Sequence, residues 1–151
     1  MLREAFTERL KTAMRAKDSR TLSTVRLILA ALKDRDIAAR GSGNQEGIPE
    51  SEIQRLLQGM VKQRRESIAV YCQGNRPKLA QQEEEEIAVI ESFLPKQMDD
   101  AEIAAAVKAA IAETGAAGIK DMGKVMGVLR ERHAGLIDMG RAGAVVKQQL
   151  T

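Results

Sequence analysis

The chain has 151 residues, 44% hydrophobic and 30% charged, which is enough apolar content for a core and too balanced a charge for a disordered polyelectrolyte. Aromatics are only 2%, and Ala, Leu, Met, Glu, Lys, Arg and Gln carry the sequence, so the fold class is all-α rather than sheet. One cysteine, Cys72, and one histidine, His133, exclude an internal disulfide and a Cys/His zinc site.

No apolar run approaches the roughly 20 residues that span a bilayer, and Met1-Leu2-Arg3-Glu4-Ala5-Phe6 lacks the apolar core of a leader. A cytoplasmic protein with no membrane contact, no metal and no cofactor is therefore expected. The net charge of +3 is uneven: residues 1–75 hold 14 Lys/Arg against 9 Asp/Glu, and residues 99–151 hold 7 against 7. A mild basic skew of this kind is compatible with nucleic acid without requiring it.

In chain order, Leu2, Phe6, Leu10 and Met14 recur every four residues and predict a first helix ending near Lys17. Asp18 or Ser19 caps a second helix whose apolar set is Leu22, Val25, Ile28, Leu29 and Leu32. Gly41-Ser42-Gly43-Asn44-Gln45-Glu46-Gly47 reads as a flexible polar loop with nothing to bury. A long third helix follows Pro49 to about Gln73, with the stripe Ile53, Leu57, Met60, Arg64, Ile68, Tyr71. Gly74-Asn75-Arg76-Pro77 breaks it, and a fourth helix from near Leu79 carries Ile87, Val89, Ile90 and Phe93, with Glu83 to Glu86 expected in solvent.

Pro95 ends that helix, so Phe93-Leu94-Pro95-Lys96 divides the chain into an N-terminal four-helix domain, 1–94, and a C-terminal three-helix bundle, 95–151. In the tail, Asp99 with Glu102 has capping-box spacing, and Ile103, Val107 and Ile111 form a stripe ending at Gly115. Ile119, Met122, Val125, Met126 and Leu129 define the next helix, and Asp138 caps a last one bearing Val145, Val146 and Leu150.

Two features stand out from this pattern. At about 100° per residue, Lys120, Gly123, Lys124 and Gly127 fall together, opposite the apolar side of their own helix. Helical glycines cost roughly 1 kcal/mol each relative to Ala. One reading is a bare backbone strip that a partner approaches closely, flanked by lysines suited to phosphate; the other is plain helix packing with solvated lysines. Glu131 near the same face weighs against a pure phosphate strip. The second feature is Arg64 within an apolar stripe, where a charge needs a carboxylate such as Glu86 or Glu91, so a structural ion pair is expected. No nucleotide-binding loop, nucleophile elbow or partnered Cys or His is found, and no catalytic residue is assigned.

The order Leu22-Ser23-Thr24-Val25-Arg26, Gln63-Arg64-Arg65-Glu66-Ser67-Ile68, Glu86-Ile87, Phe93-Leu94-Pro95-Lys96-Gln97-Met98 and Lys120-Asp121-Met122-Gly123-Lys124-Val125-Met126-Gly127 resembles the YqeY-like family. That family is related to the tail of the B subunit of glutamine-dependent Asp-tRNA/Glu-tRNA amidotransferase. The resemblance spans essentially the whole chain and departs from the usual pattern near Ala134 to Arg141. It implies a helical domain followed by a three-helix tail, and tRNA or other RNA as partner.

The reading that follows is a non-catalytic tRNA- or RNA-binding module linked to tRNA-dependent amidation, using Lys120, Lys124, Arg141 and Lys147 on phosphate. The alternatives are an adaptor that docks a protein partner through Gly123 and Gly127, and an inherited carbon–nitrogen ligase activity with glutamine as amido-N-donor.

Overall fold

The computed structural model describes all residues 1–151. It contains seven α-helices and no strand: α1 (Leu2–Ala16), α2 (Ser19–Gly41), α3 (Glu50–Gln73), α4 (Pro77–Glu91), α5 (Asp100–Thr114), α6 (Met122–Arg132) and α7 (Met139–Leu150). The chain resolves into two compact units, Met1–Leu94 and Pro95–Thr151.

Local chemistry sets most helix ends. Lys17 stops α1 in the left-handed conformation at φ 55°, and the Asp18 carboxylate then accepts from the Thr21 N–H at 3.1 Å to start α2. Asp99 accepts from the Glu102 N–H at 2.8 Å, and Asp138 accepts from the N–H groups of Gly140 and Arg141 at 2.9 and 3.2 Å. Each carboxylate satisfies donors that the first helical turn leaves without partners. Gly115 closes α5 at φ 66°, a conformation that costs glycine little.

In the first unit, Phe6, Val25, Ile28, Ile53, Leu57 and Ile90 are fully buried, so all four helices feed one core. Phe6 meets Phe93 edge to face, with ring centroids 4.8 Å apart. The Arg9 guanidinium lies 4.8 Å over the Phe93 ring and donates to Ser92 Oγ. In the second unit, Ile103 and Val107 of α5, Val125 and Leu129 of α6, and Ala142 and Val146 of α7 form a separate core with Ile137. The unit's entry is fixed by backbone: the Met98 N–H donates to the Leu136 carbonyl at 2.9 Å, and Gln97 Nε2 to the Gly135 carbonyl at 2.7 Å.

Four expectations are corrected. Helix α2 runs on through Gly41, and the segment after it is not a slack loop. Its Ile48 is buried, and Arg3 and Asp36 clamp it: the guanidinium donates twice to the carboxylate at 2.7 and 2.9 Å and once to the Ile48 carbonyl, while Asp36 accepts from the Ile48 N–H. Helix α4 starts at Pro77, because a proline at the first position forgoes only an N–H that has no helical partner. The glutamate run is not uniformly in solvent, since Glu86 is 7% exposed and Glu83 half-buried. Finally, Ile119 is exposed because a 3₁₀ turn, Ile119–Asp121, precedes α6 and rotates it off the apolar stripe.

Candidate nucleic-acid interface

Helix α6 places its apolar side chains by 3.6-residue periodicity: Val125 and Leu129 are buried, with Met122, Met126 and Val128 packed at their edges. The opposite side carries Gly123, Lys124, Gly127, Arg130 and Glu131, all exposed. A Cβ on either Gly123 or Gly127 would meet nothing within 4 Å. These two glycines therefore serve no contact inside their own unit. Gly143 on α7 contrasts with them, since its Cβ position lies 3.7 Å from Met122 Cε and Met126 Cε.

Lys124 and Arg130 flank the strip, and Lys120 stands exposed on the preceding 3₁₀ turn. Arg130 is a cation that residue spacing brings to this face three positions after Gly127, and it is absent from the lysine–glycine motif that first marks the helix. Lys120, Lys124 and Arg130 form no salt bridge. The only acid on this side of α6 is Glu131. Cations without internal partners need no bond broken before they meet an anion.

The other two predicted contacts differ. Lys147 is exposed on α7, whereas Arg141 is half-buried and donates to Asp100 at the start of α5. Its guanidinium is thus engaged in holding α7 to α5. Arg132 is likewise paired, with Glu113. Between α5 and α6 lies an open groove of about 520 Å³, floored by Ala105, Ala106, Ala109 and Ala110 and edged by Arg132 and His133.

In the first unit Arg64 Nε donates to Glu86 Oε2 at 3.0 Å, its Nη1 donates to the Met60 carbonyl, and Glu83 lies 3.9 Å away. The Arg64 and Glu86 side chains are 12% and 10% exposed, so the charges neutralise one another within the α3–α4 contact. Glu91, the other carboxylate considered for Arg64, pairs with Arg65 instead. Burial and the neighbouring Glu86 charge raise the Glu83 carboxyl above its usual range, against the opposing pull of Arg64. Cys72 is exposed at the end of α3. No group of His, Cys, Asp or Glu is placed to hold a metal ion, and no helix is long and apolar enough to cross a membrane.

The model of the Yqey-like protein family matches residues 3–150. Among curated proteins, the chain is 34% identical over 85 residues to "Altered inheritance of mitochondria protein 41, mitochondrial" of Lachancea thermotolerans, covering 56% of this chain and 43% of that protein. The protein of the same name from Vanderwaltozyma polyspora is 33% identical over 85 residues, covering 56% and 44%. The chain thus spans less than half the length of the curated relatives it matches. Their names overturn the expectation of a cytoplasmic protein, because each places its protein in mitochondria. That expectation rested on one cysteine and an opening without a leader-like run, and neither property distinguishes one reducing compartment from another.

Proposed function

The chain belongs to the Yqey-like protein family, and from that premise we propose that it is a non-catalytic RNA-binding module whose second unit engages tRNA phosphates through the solvent side of α6. The observation that carries this reading is the pairing of open space over Gly123 and Gly127 with Lys124 and Arg130, which have no internal partner. The glycines let a sugar–phosphate backbone come close to the helix, and the cations flank its path. Lys120 and Lys147 extend the contact, while Arg141 keeps its structural role against Asp100.

The chemistry of the face supports binding rather than catalysis, since Lys124 and Glu131 form no hydrogen bond or ion pair that would make a nucleophile–base pair. Few aromatics are available for base stacking, so recognition runs through shape and phosphate. A role beside tRNA-dependent amidation follows from the family's kinship with the amidotransferase tail, with this chain holding the RNA and another protein supplying the reaction.

The open glycine backbone also supports an adaptor reading, in which a partner helix crosses α6 at Gly123 and Gly127. Two variants separate the readings. Lys124→Glu with Arg130→Glu strongly weakens tRNA retention in a filter-binding assay at low salt if the RNA reading holds, with the fold unchanged by circular dichroism. Retention equal to that of the unaltered chain refutes it. Gly127→Leu tests the adaptor: loss of protein partners with tRNA binding preserved selects that reading instead.

A further inference from the structure

Helix α2 presents an exposed face that the first unit does not use. Ser23, Leu27, Ala30, Asp34 and Ile37 are all exposed and follow the alternating four- and three-residue spacing of a coiled-coil seam. Leu27 and Ile37 are 48% and 52% exposed, although large aliphatic side chains favour burial. Along one edge of this seam run Arg26, Lys33 and Arg40, seven residues apart and therefore two turns apart on one side. All three are exposed, and none forms a salt bridge. Arg40 acts only at longer range, on Asp36.

We propose that the Leu27–Ile37 seam of α2 docks a helix of a protein partner whose facing edge is acidic. Charge complementarity selects this occupant. In a two-helix seam, the positions held here by Arg26, Lys33 and Arg40 set partner choice and orientation. A second copy of this chain offers them no acid: an antiparallel copy sets the same three cations opposite them, and a parallel copy sets Ala31 and Ala38 there. Phosphate tracking leaves Leu27 and Ile37 without a role, because apolar side chains gain nothing from a sugar–phosphate backbone. A membrane surface asks for a continuous apolar face, and here Asp34 interrupts a stripe two large side chains long. Within the seam, Asp34 is the kind of polar group that fixes register against one partner.

The test uses two synthetic helical peptides of about 28 residues, four heptads, with identical apolar seams and either Glu or Lys at both flanking edges. Fluorescence anisotropy with the full chain reads their binding. The expected result is binding of the Glu-edged peptide only, weakened about tenfold or more by Leu27→Ser with Ile37→Ser. Lys33→Glu with Arg40→Glu is expected to reverse the preference toward the Lys-edged peptide. All four positions are exposed, so the variants keep the fold, checked by circular dichroism. Equal binding of both peptides, binding of neither, or indifference to the serine pair overturns the proposal. A bulk tRNA probe that loses affinity with Lys33→Glu and Arg40→Glu but ignores the serine pair identifies a polyanion face instead and overturns it as well. The α6 variants leave these readouts unchanged, so this proposal and the RNA reading fail separately.

Discussion

Replacing Gly123 and Gly127 by alanine is expected to stabilise the second unit while weakening RNA binding. Both glycines lie inside α6, and neither has positive φ. A Cβ at either position meets open space, so no steric cost offsets the gain in helix propensity. Alanine is better than glycine in a helix interior by about 0.5–1 kcal/mol. The pair therefore adds about 1–2 kcal/mol, and a unit near the lower end of domain size shifts its midpoint by roughly 4–8 °C per kcal/mol. Thermal unfolding of the full chain by calorimetry measures this as an upward move of one transition. On the proposed RNA reading, two methyl groups on the strip also hold the RNA backbone off the helix, so tRNA affinity is expected to fall as stability rises. An unchanged or lowered midpoint refutes the packing argument, and unchanged tRNA affinity refutes the close-approach argument.

Other glycines behave differently. Gly47→Ala is expected to destabilise the first unit by about 1 kcal/mol or more, because φ is +97° and the added Cβ sits 2.8 Å from Arg3 Nη2; chemical denaturation reads the loss. Glu86→Ala leaves the Arg64 guanidinium nearly buried with the Met60 carbonyl and, as its one carboxylate, Glu83 at 3.9 Å, a cost of about 3 kcal/mol by urea midpoint, whereas replacing Arg64 and Glu86 together by Met and Leu costs much less. Asp36 is held down to about 2, chiefly by its hydrogen bond from Arg3 and also by the Ile48 N–H. Its contribution is therefore present above the ordinary carboxylate range and lost as pH falls toward 2. It amounts to at most about 2 kcal/mol, reduced because Arg3 is partly solvated. Asp36→Asn flattens that acid limb and speeds amide exchange at Ile48. Glu83 has the opposite sign: its raised carboxyl favours the folded state at low pH, and that share is lost as pH rises through its folded value. Glu83→Gln thus removes this part of the dependence.

The helix boundaries that depend on a side chain and its own next turn were legible in the residues. Asp18, Asp99, Asp138 and Gly115 each act within four positions of themselves, so their spacing carries the information. The expected and observed bounds diverge where a contact is long-range. The clamp on Ile48 joins Arg3, Asp36 and a backbone segment 45 and 12 residues away, and no local pattern announces it. Composition likewise places four consecutive glutamates in water, yet a helix turns every fourth side chain inward, and Glu86 lands against Arg64. At the candidate interface, the glycine–lysine motif was visible as a motif. Arg130 was not, because it joins the face by helical geometry one turn further on. Arg141 shows the converse: a cation expected on phosphate is tied to Asp100 once α5 and α7 are brought together.

If the exposed cations on α6 meet RNA phosphate, the salt dependence of tRNA binding reports it. Each phosphate neutralised on duplex RNA releases condensed counterions and adds roughly one to the slope of log affinity against log salt. Lys120, Lys124 and Arg130 with Lys147 predict a slope of about −3 to −4, and Lys124→Glu with Arg130→Glu should reduce its magnitude by about 2. A slope near zero, or one that the double substitution leaves unchanged, means that these cations do not carry tRNA binding.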